Sequence, residues 1–357
     1  DGLLSQIVDI TKERFGHYFV GIALVEADRL VFRSGSTIGD TGARMEHWLG
    51  VDLASGASLI AEAARTRQMV LVNDVLADPR YLAVEDLPDT RAEIDAPMEV
   101  KGRVIGVLTV QSDRVGAYDQ TAVAILQSLA SQAGAAIDAA GLFEQAQART
   151  RELAVLNEMG RTLTGMLDMD AVIESIRHFA SQLVDTTNFF VALYDAEQDM
   201  ISFPLYIDGE DTRLNMAARR TGKGMSEHVI RTRQPFLVKE DVADVQAALG
   251  IESIGQPSQS WLGVPMMVGE QPIGLISVQS YTTPGVYDEH DRDLLLAVAS
   301  QAAIAIQNAR LFGEQQRTAG LLAERLKQLD CLSDIGRRAQ EAPPLPEFLE
   351  WVAERIP

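Results

Sequence analysis

Val104-Ile105-Gly106-Val107-Leu108-Thr109-Val110-Gln111-Ser112 and Pro272-Ile273-Gly274-Leu275-Ile276-Ser277-Val278-Gln279-Ser280 are one stretch written twice. Gly106 and Gly274 stand 168 positions apart, and Ala96-Pro97-Met98 matches Val264-Pro265-Met266 at the same spacing. Arg65-Thr66-Arg67-Gln68 matches Arg231-Thr232-Arg233-Gln234 at 166, and Leu142-Phe143 matches Leu311-Phe312 at 169. Offsets this steady require one fold used twice with small loop differences. A third copy begins near the end, where Leu156-Asn157-Glu158-Met159-Gly160-Arg161 parallels Leu332-Ser333-Asp334-Ile335-Gly336-Arg337 at 176. The first copy lacks the opening helix, since residue 1 already corresponds to the Val172–Ile176 region of the second.

Each copy alternates helix and strand. Val172, Ile173, Ile176, Phe179, Ala180 and Leu183 recur at helical spacing, and Leu3, Leu4, Ile7, Val8, Ile10 and Phe15 form a broader apolar face. Tyr18–Val25 and Phe189–Tyr194 are β-rich runs ended by turn residues, followed by strands at Leu30–Phe32 and Met200–Tyr206. Val100-Lys101-Gly102-Arg103 and Val268-Gly269-Glu270-Gln271 predict hairpin turns. Gly106 and Gly274 mark close backbone approach, while Pro97 and Pro265 predict the beginning or edge of a strand. Asp74 and Asp241 cap or turn short segments. Long helices open at Tyr118-Asp119 and Tyr287-Asp288, the second with Asp288 and Asp291 as an N-cap pair.

Composition narrows the function. The 357 residues, 46% of them hydrophobic, suffice for two or three cores. Acidic residues outnumber basic ones 51 to 31, a formal charge of −20 that repels a phosphate backbone. The densest basic cluster, Arg213, Arg219, Arg220, Lys223, Arg231 and Arg233, is too dispersed to override that field, so nucleic acid is not an expected partner. The single Cys331 excludes an intramolecular disulfide and a cysteine-based zinc site, and fits a reducing compartment, by default the cytoplasm. No uninterrupted run of about 18 apolar residues and no signal-peptide pattern is present, so no membrane contact is expected within the chain. The absence of an initiator Met and the ending at Ile356-Pro357 suggest a piece of a longer protein.

The order of these motifs resembles the GAF family. A helix feeds a paired hairpin, then come Val72-Asn73-Asp74-Val75, Asp78-Pro79-Arg80-Tyr81, Glu93-Ile94-Asp95-Ala96-Pro97-Met98, Val104–Leu108 and Tyr118-Asp119. The second copy repeats the order with Val238–Val242, Trp261–Met266 and Ile273–Ile276. The resemblance covers nearly the whole chain. It implies an α+β fold of repeated, PAS-related GAF-like domains, each an antiparallel sheet with flanking helices, joined by long signalling helices. It further implies one sheet face holding a small-molecule pocket, and parallel dimers joined along the helices. Accordingly, residues 1–141 are a first domain with its opening helix truncated, and 142–170 are a connecting helix. Residues 171–310 are a second domain, 311–335 a second connecting helix, and 336–357 the truncated start of a third domain.

Family membership does not name the ligand. Phe190, Tyr206, His228 and Trp261 are the candidate ligand-binding residues, with Trp48 a further aromatic of the same kind. His228 follows Gly222-Lys223-Gly224-Met225-Ser226 on the helix that flanks the pocket in GAF folds, and its alternative reading is an ordinary helix residue. Gly222-Lys223-Gly224 is a loop entering a helix, because the Walker pattern needs a glycine where Ala217 stands. The second copy, with its longer loop from Asp241 to Ser260, is read as the binding copy. The first copy's shorter loop between Tyr81 and Glu93 leaves less to close over a pocket. His17, His47, His178, His228 and His290 show no i, i+4 metal spacing, so no metal is expected. Covalent bilin attachment and GAF-type methionine-sulfoxide reduction both depend on cysteines that neither complete copy contains. The cofactor is left open, with haem and nucleotides among the candidates, although the cyclic-nucleotide pattern of phosphodiesterase GAF domains is not visible. No catalytic residues can be assembled, and the chain is read as no enzyme.

Leu142, Ala146, Leu153, Leu156, Gly160 and Leu163 form a helical stripe interrupted by Arg149, and Ala319, Leu322, Leu326 and Leu329 form another. The leucines suit the seam of a parallel homodimer, in preference to packing on their own domain. The expected function is a cytoplasmic sensory region that binds an unknown small molecule or partner and relays the event through helices to an output module. That module would be a histidine kinase, as in two-component systems, a cyclase or a transcription regulator. The alternative is a ligand-free repeat serving dimerisation and spacing alone.

Overall fold

The computed structural model describes residues 2–15, 18–37, 50–84, 86–209, 212–340 and 344–353; His17, His47 and Trp48 lie outside them. The chain forms two compact units, Asp1–Ala148 and Arg149–Pro357, and the division falls inside one long helix.

The first unit contains α1 (Gly2–Phe15), β1 (Phe19–Glu26), β2 (Arg29–Thr37), β3 (Val51–Asp52), α2 (Leu59–Thr66), β4 (Val70–Val72), β5 (Ala92–Val100) and β6 (Arg103–Ser112), and it opens α3 (Gln120–Thr164). Its sheet is antiparallel, in the order β3-β2-β1-β6-β5-β4. The β5–β6 hairpin turns at Lys101 and Gly102, both with positive φ, which matches the turn to the twist of the strands. Pro97 does not begin β5 but lies within it, opposite Val107. It is tolerated there because β4 pairs with β5 only from Glu93 to Asp95, leaving no ladder on the far side for the missing N–H to serve. A Cβ on Gly106 would collide with the Ala23 carbonyl and lie 2.7 Å from Met98 Cε, so close approach of β1 requires glycine.

Strand alternation divides the core between the sheet's two faces. Val20, Ile22, Ile94, Ala96, Met98, Leu108 and Val110 pack on α1 and α3. Ala23, Leu30 and Val107 face the other way, against Leu59, Ile60 and Ala63 of α2.

The second unit repeats the plan. It contains α4 (Met169–Ala180), β7 (Phe189–Asp195), β8 (Met200–Asp208), β9 (Thr212–Arg213), β10 (Met216–Arg220), α5 (Met225–Thr232), β11 (Phe236–Val238), α6 (Val242–Leu249), β12 (Ser260–Val268), β13 (Gln271–Ser280), α7 (Glu289–Gln340) and α8 (Leu345–Ala353). The sheet order is β10-β8-β7-β13-β12-β11, with β9 paired to β8. Much of the long Asp241–Ser260 segment folds as α6. At the start of α7 the Asp288 carboxylate accepts from the His290 and Asp291 backbone N–H groups, while Asp291 accepts from Asp288 N. This is a reciprocal cap.

The core of this unit corrects the proposed helix seam. Leu163 is 2% exposed and packs with Met159, Ile176, Val298 and Ala302. Leu156 is half-buried against the same cluster. The stripe therefore turns inward, because the end of α3 covers apolar surface of its own unit. Leu142, Leu153, Leu322, Leu326 and Leu329 remain exposed, at 49–61%. Among the described helices, α7 alone is long and apolar enough by length and composition to cross a membrane. Half of that apolar window is buried, and Leu294, Leu295, Val298 and Ile306 belong to the core.

Candidate functional site

In both units the sheet face turned away from the long helices carries a cavity. In the second unit it is about 160 Å³ and lies among Phe190, Tyr206, Trp261, Arg219, Glu227 and the Glu252–Ser258 segment. The sheet brings three of the expected residues together here. Phe190 and Tyr206 sit on adjacent strands as directly opposed residues, so their rings stack, with centroids 5.2 Å apart and planes within 4°. Trp261 is buried on β12, and Gln279 Nε2 donates to Tyr206 Oη at 3.1 Å. His228 is not brought in. Its ring points to Phe236, with centroids 4.7 Å apart, and burial, then Arg231, holds its pKa below the ordinary imidazole value. One residue earlier on α5, Glu227 reaches the cavity instead.

Glu227 is 3% exposed. Its Oε1 pairs with the Arg219 guanidinium and accepts from Gly222 N, whereas its buried Oε2 has no hydrogen-bond partner. Glycine at 224 leaves room for this carboxylate, since a Cβ there would fall 2.7 Å from Oε2. A larger recess of about 1460 Å³ along α7 is walled partly by exposed Glu197, Gln198 and Arg317, which makes it a surface groove.

The first unit holds the larger of the two sheet-face pockets, about 310 Å³, between the sheet, α2, Tyr81–Val84 and Asp86. The longer loop of the second copy does not give it the larger cavity. The short Tyr81–Val84 stretch suffices as a wall because Arg80 anchors it. Its Nη1 donates to both Glu62 oxygens on α2, at 2.9 and 2.8 Å, and its Nε donates to Asp78 at 2.9 Å. Hydrogen bonding to Arg80 in turn holds the Asp78 carboxyl at about 2.

Glu93 lines the pocket, and Glu93 and Asp95 alternate with Ala92, Ile94 and Ala96, so both carboxyls leave the same face of β5, with Asp95 buried next to the lining rather than part of it. They are 7% and 0% exposed. Among the described residues neither Asp95 oxygen, nor the cross-strand Thr109 Oγ1, makes a hydrogen bond of normal geometry, although Glu93 and Thr109 lie next to Asp95. Burial, and then the charge of Asp95, pushes Glu93 well above the usual carboxylate range. Burial also lifts Asp95 to about 6, with neighbouring Thr109 and Glu93 offsetting part of the effect. Gln111 accepts from Thr90 Oγ1 at 2.8 Å beside the pair.

The repeat makes the two floors comparable residue by residue. Glu93 stands opposite Gln111 as Trp261 stands opposite Gln279, and Asp95 faces Thr109 as Gly263 faces Ser277. Where the first copy has two acids, the second has an indole abutting a glycine. Sequence reasoning passed over Glu93 and Asp95. The available signal was two acids on one face of a strand whose opposite face is wholly apolar, in a sheet that needs cover on both sides. Glu227 and Arg219 carry no comparable signal, because α5 and β10 are both rich in charge.

Comparison with known proteins gives the following likenesses. A family model described as the GAF domain matches residues 1–138 and again 166–307. A probable 3′,5′-cyclic phosphodiesterase of Caenorhabditis elegans is 23% identical over 163 residues, which are 43% of this chain and 22% of that protein. The chain thus spans about a fifth of the length of that curated relative. The type II free methionine-R-sulfoxide reductase of Thermoplasma acidophilum is 25% identical, covering 37% of this chain and 88% of that one, with a TM-score of 0.33. A bacteriophytochrome of R. palustris is 10% identical, covering 85% of this chain and 71% of that one, with a TM-score of 0.48.

Proposed function

The chain belongs to the GAF-domain family, in two successive copies, and from that premise we propose that it is the sensory part of a signal-transduction protein. It binds a small molecule in the pocket face of one or both sheets. The binding biases the packing of helices that run on from each sheet toward an output module. GAF domains are regulatory and sensory modules, and the finer reading rests on one observation. In the second copy the cavity on the face opposite the long helices is edged by Glu227, whose buried Oε2 has no partner among the described residues, and in the first the pocket is lined by Thr109, whose buried Oγ1 has none, next to the unpartnered Asp95 carboxyl. A folded chain leaves such oxygens unsatisfied at a cost of about 1–3 kcal/mol each, which a ligand donor relieves.

The mechanism is differential binding. A ligand shifts a two-state element only by the difference between its affinities for the two states. The sheet is the shared wall, since adjacent residues such as Glu93 and Ile94 face the pocket and the α1/α3 core respectively. Movement of a pocket strand therefore reaches the helices within one residue. A reductase role is disfavoured, because the lone Cys331 lies on α7, well past both sheets in sequence. We further propose that the chain works in the cytoplasm as a parallel homodimer, with the exposed leucines of α7 as its seam.

Native mass spectrometry of the gently purified chain tests the sensory reading. A retained small molecule, or a thermal shift with a metabolite panel, is the expected result. Protein that retains nothing and responds to nothing would leave the repeats as spacers. Disulfide crosslinking through Cys331 tests the dimer, and a chain that stays monomeric at tens of micromolar and never crosslinks would refute it.

A further inference from the structure

The acid pair of the first copy is not demanded by the fold, because the second copy builds the same sheet with Trp261 and Gly263 at the equivalent positions. Burying two carboxyls side by side with no countercharge among the described lining residues opposes folding, so their presence calls for a ligand that offsets it. Among the described residues lining this pocket, the charged ones are Asp86 and Glu93, and no Lys, Arg or His is among them. The electrostatics therefore select a cation.

The cation is further defined by the walls. A bare Ca²⁺ or Mg²⁺ needs roughly six to eight oxygen ligands, and among the described residues no group of three or more metal-ligating side chains forms. The cavity of about 310 Å³ is much larger than an ion, and Phe32, Leu59, Ile60 and Leu82 make much of its wall apolar. A protonated amine carries three N–H donors and no acceptor. That inventory matches the Glu93 carboxyl and the unpartnered Thr109 Oγ1 that line the pocket, with the unpartnered Asp95 carboxyl beside them.

Resting on the reading of the first copy as a ligand-binding domain, we infer that its pocket takes a small organic ammonium ion. The amine end donates to Glu93 and Thr109 Oγ1 at the lining, the buried Asp95 carboxyl beside them adds negative charge, and an apolar body lies against Phe32 and Leu59. The second copy, with an indole where the acids stand, does not share this specificity.

The test is calorimetric titration and thermal shift on the full chain with ethylamine, isobutylamine, phenethylamine and tryptamine. Each is paired with its alcohol and its carboxylic acid counterpart, and MgCl₂ and CaCl₂ are run alone. At least one amine is expected to bind tenfold or more tightly than its neutral and anionic counterparts. Glu93→Gln and Asp95→Asn should each cut that affinity at least tenfold while the protein melts no lower than the parent. If the alcohols or acids bind as well as the amines, the inference fails and the sensory reading stands. A metal shift abolished by Asp95→Asn, with no amine binding, also overturns it. If no probe binds and the purified chain retains no small molecule, both readings fall.

Discussion

The outer end of the Trp261 indole abuts Gly263: a Cβ at position 263 would fall 2.7 Å from Cζ3 and 2.9 Å from Cζ2 of the ring. The ring is 1% exposed and packs with Phe190, Leu275 and Ile230, so it has little freedom to move. The first copy places Asp95 at the matching position, beside Glu93. The pair of positions thus decides whether the pocket floor is aromatic or acidic. Gly263→Ala should destabilise the second unit by about 1–3 kcal/mol through overpacking. Trp261→Ala should cost about 3–5 kcal/mol through the cavity it leaves. Urea denaturation of both variants checks this, and a Gly263→Ala protein as stable as the parent would show that the indole can shift.

The buried acids make stability depend on pH with an unusual sign. Their native pKa values lie above the unfolded ones, so the folded state holds extra protons above about pH 4, Asp95 until about pH 6, and stability falls as pH rises through these native values. Asp95→Asn mimics the protonated acid. It should match the parent near pH 4 and be more stable at pH 8, by an amount on the order of 1–3 kcal/mol. Asp78, held at about 2, titrates below this window and does not obscure it. In the second unit the lowered pKa of His228 acts oppositely, with stability lost as pH falls through its native value. Melting curves of parent and variant at pH 4, 6 and 8 separate these contributions, and a difference independent of pH would contradict the assignment.

Arg80 is expected to matter for the pocket wall more than for global stability. The pair with Glu62 is partly exposed, at 40% and 26% for the two side chains, so its removal should cost about 1 kcal/mol or less. Arg80→Ala should nevertheless speed amide exchange at Tyr81–Val84. Arg80→Lys should restore little, since an ammonium cannot hold Glu62 and Asp78 through one planar fork. Hydrogen exchange read peptide by peptide decides between anchoring and mere surface pairing.

The two leucine classes along the helices should respond differently. Leu163→Ala empties part of the core of the second unit and should cost about 2–5 kcal/mol. Leu326, 61% exposed, should tolerate Leu326→Glu within about 0.5 kcal/mol. If α7 is the dimer seam, the same change should shift the protein toward monomer in sedimentation. An unchanged sedimentation profile would remove Leu326 from the seam.

The amino-acid sequence alone determined the duplication, the antiparallel strand pairs and the hairpins. These depend on local signals, which the chain repeats at a constant offset: two-residue alternation, the Lys101-Gly102 turn, the glycines beneath crossing strands and the Asp288–Asp291 cap. It also marked Phe190, Tyr206 and Trp261, because aromatics on strand positions of one face converge wherever the sheet is covered. Only the tertiary structure decided which polar and apolar residues lose their water. Glu93 and Asp95 read as ordinary acids until the fold buries both, with α2 and Tyr81–Val84 beside Glu93. His228 and Glu227 are neighbours on one short helix, yet a rotation of about 100° per residue sends one to Phe236 and the other into the cavity. Leu163 and Leu326 share a helical pattern, yet one is core and the other surface. Burial depends on what packs against a face, and that is fixed by residues far away in the chain.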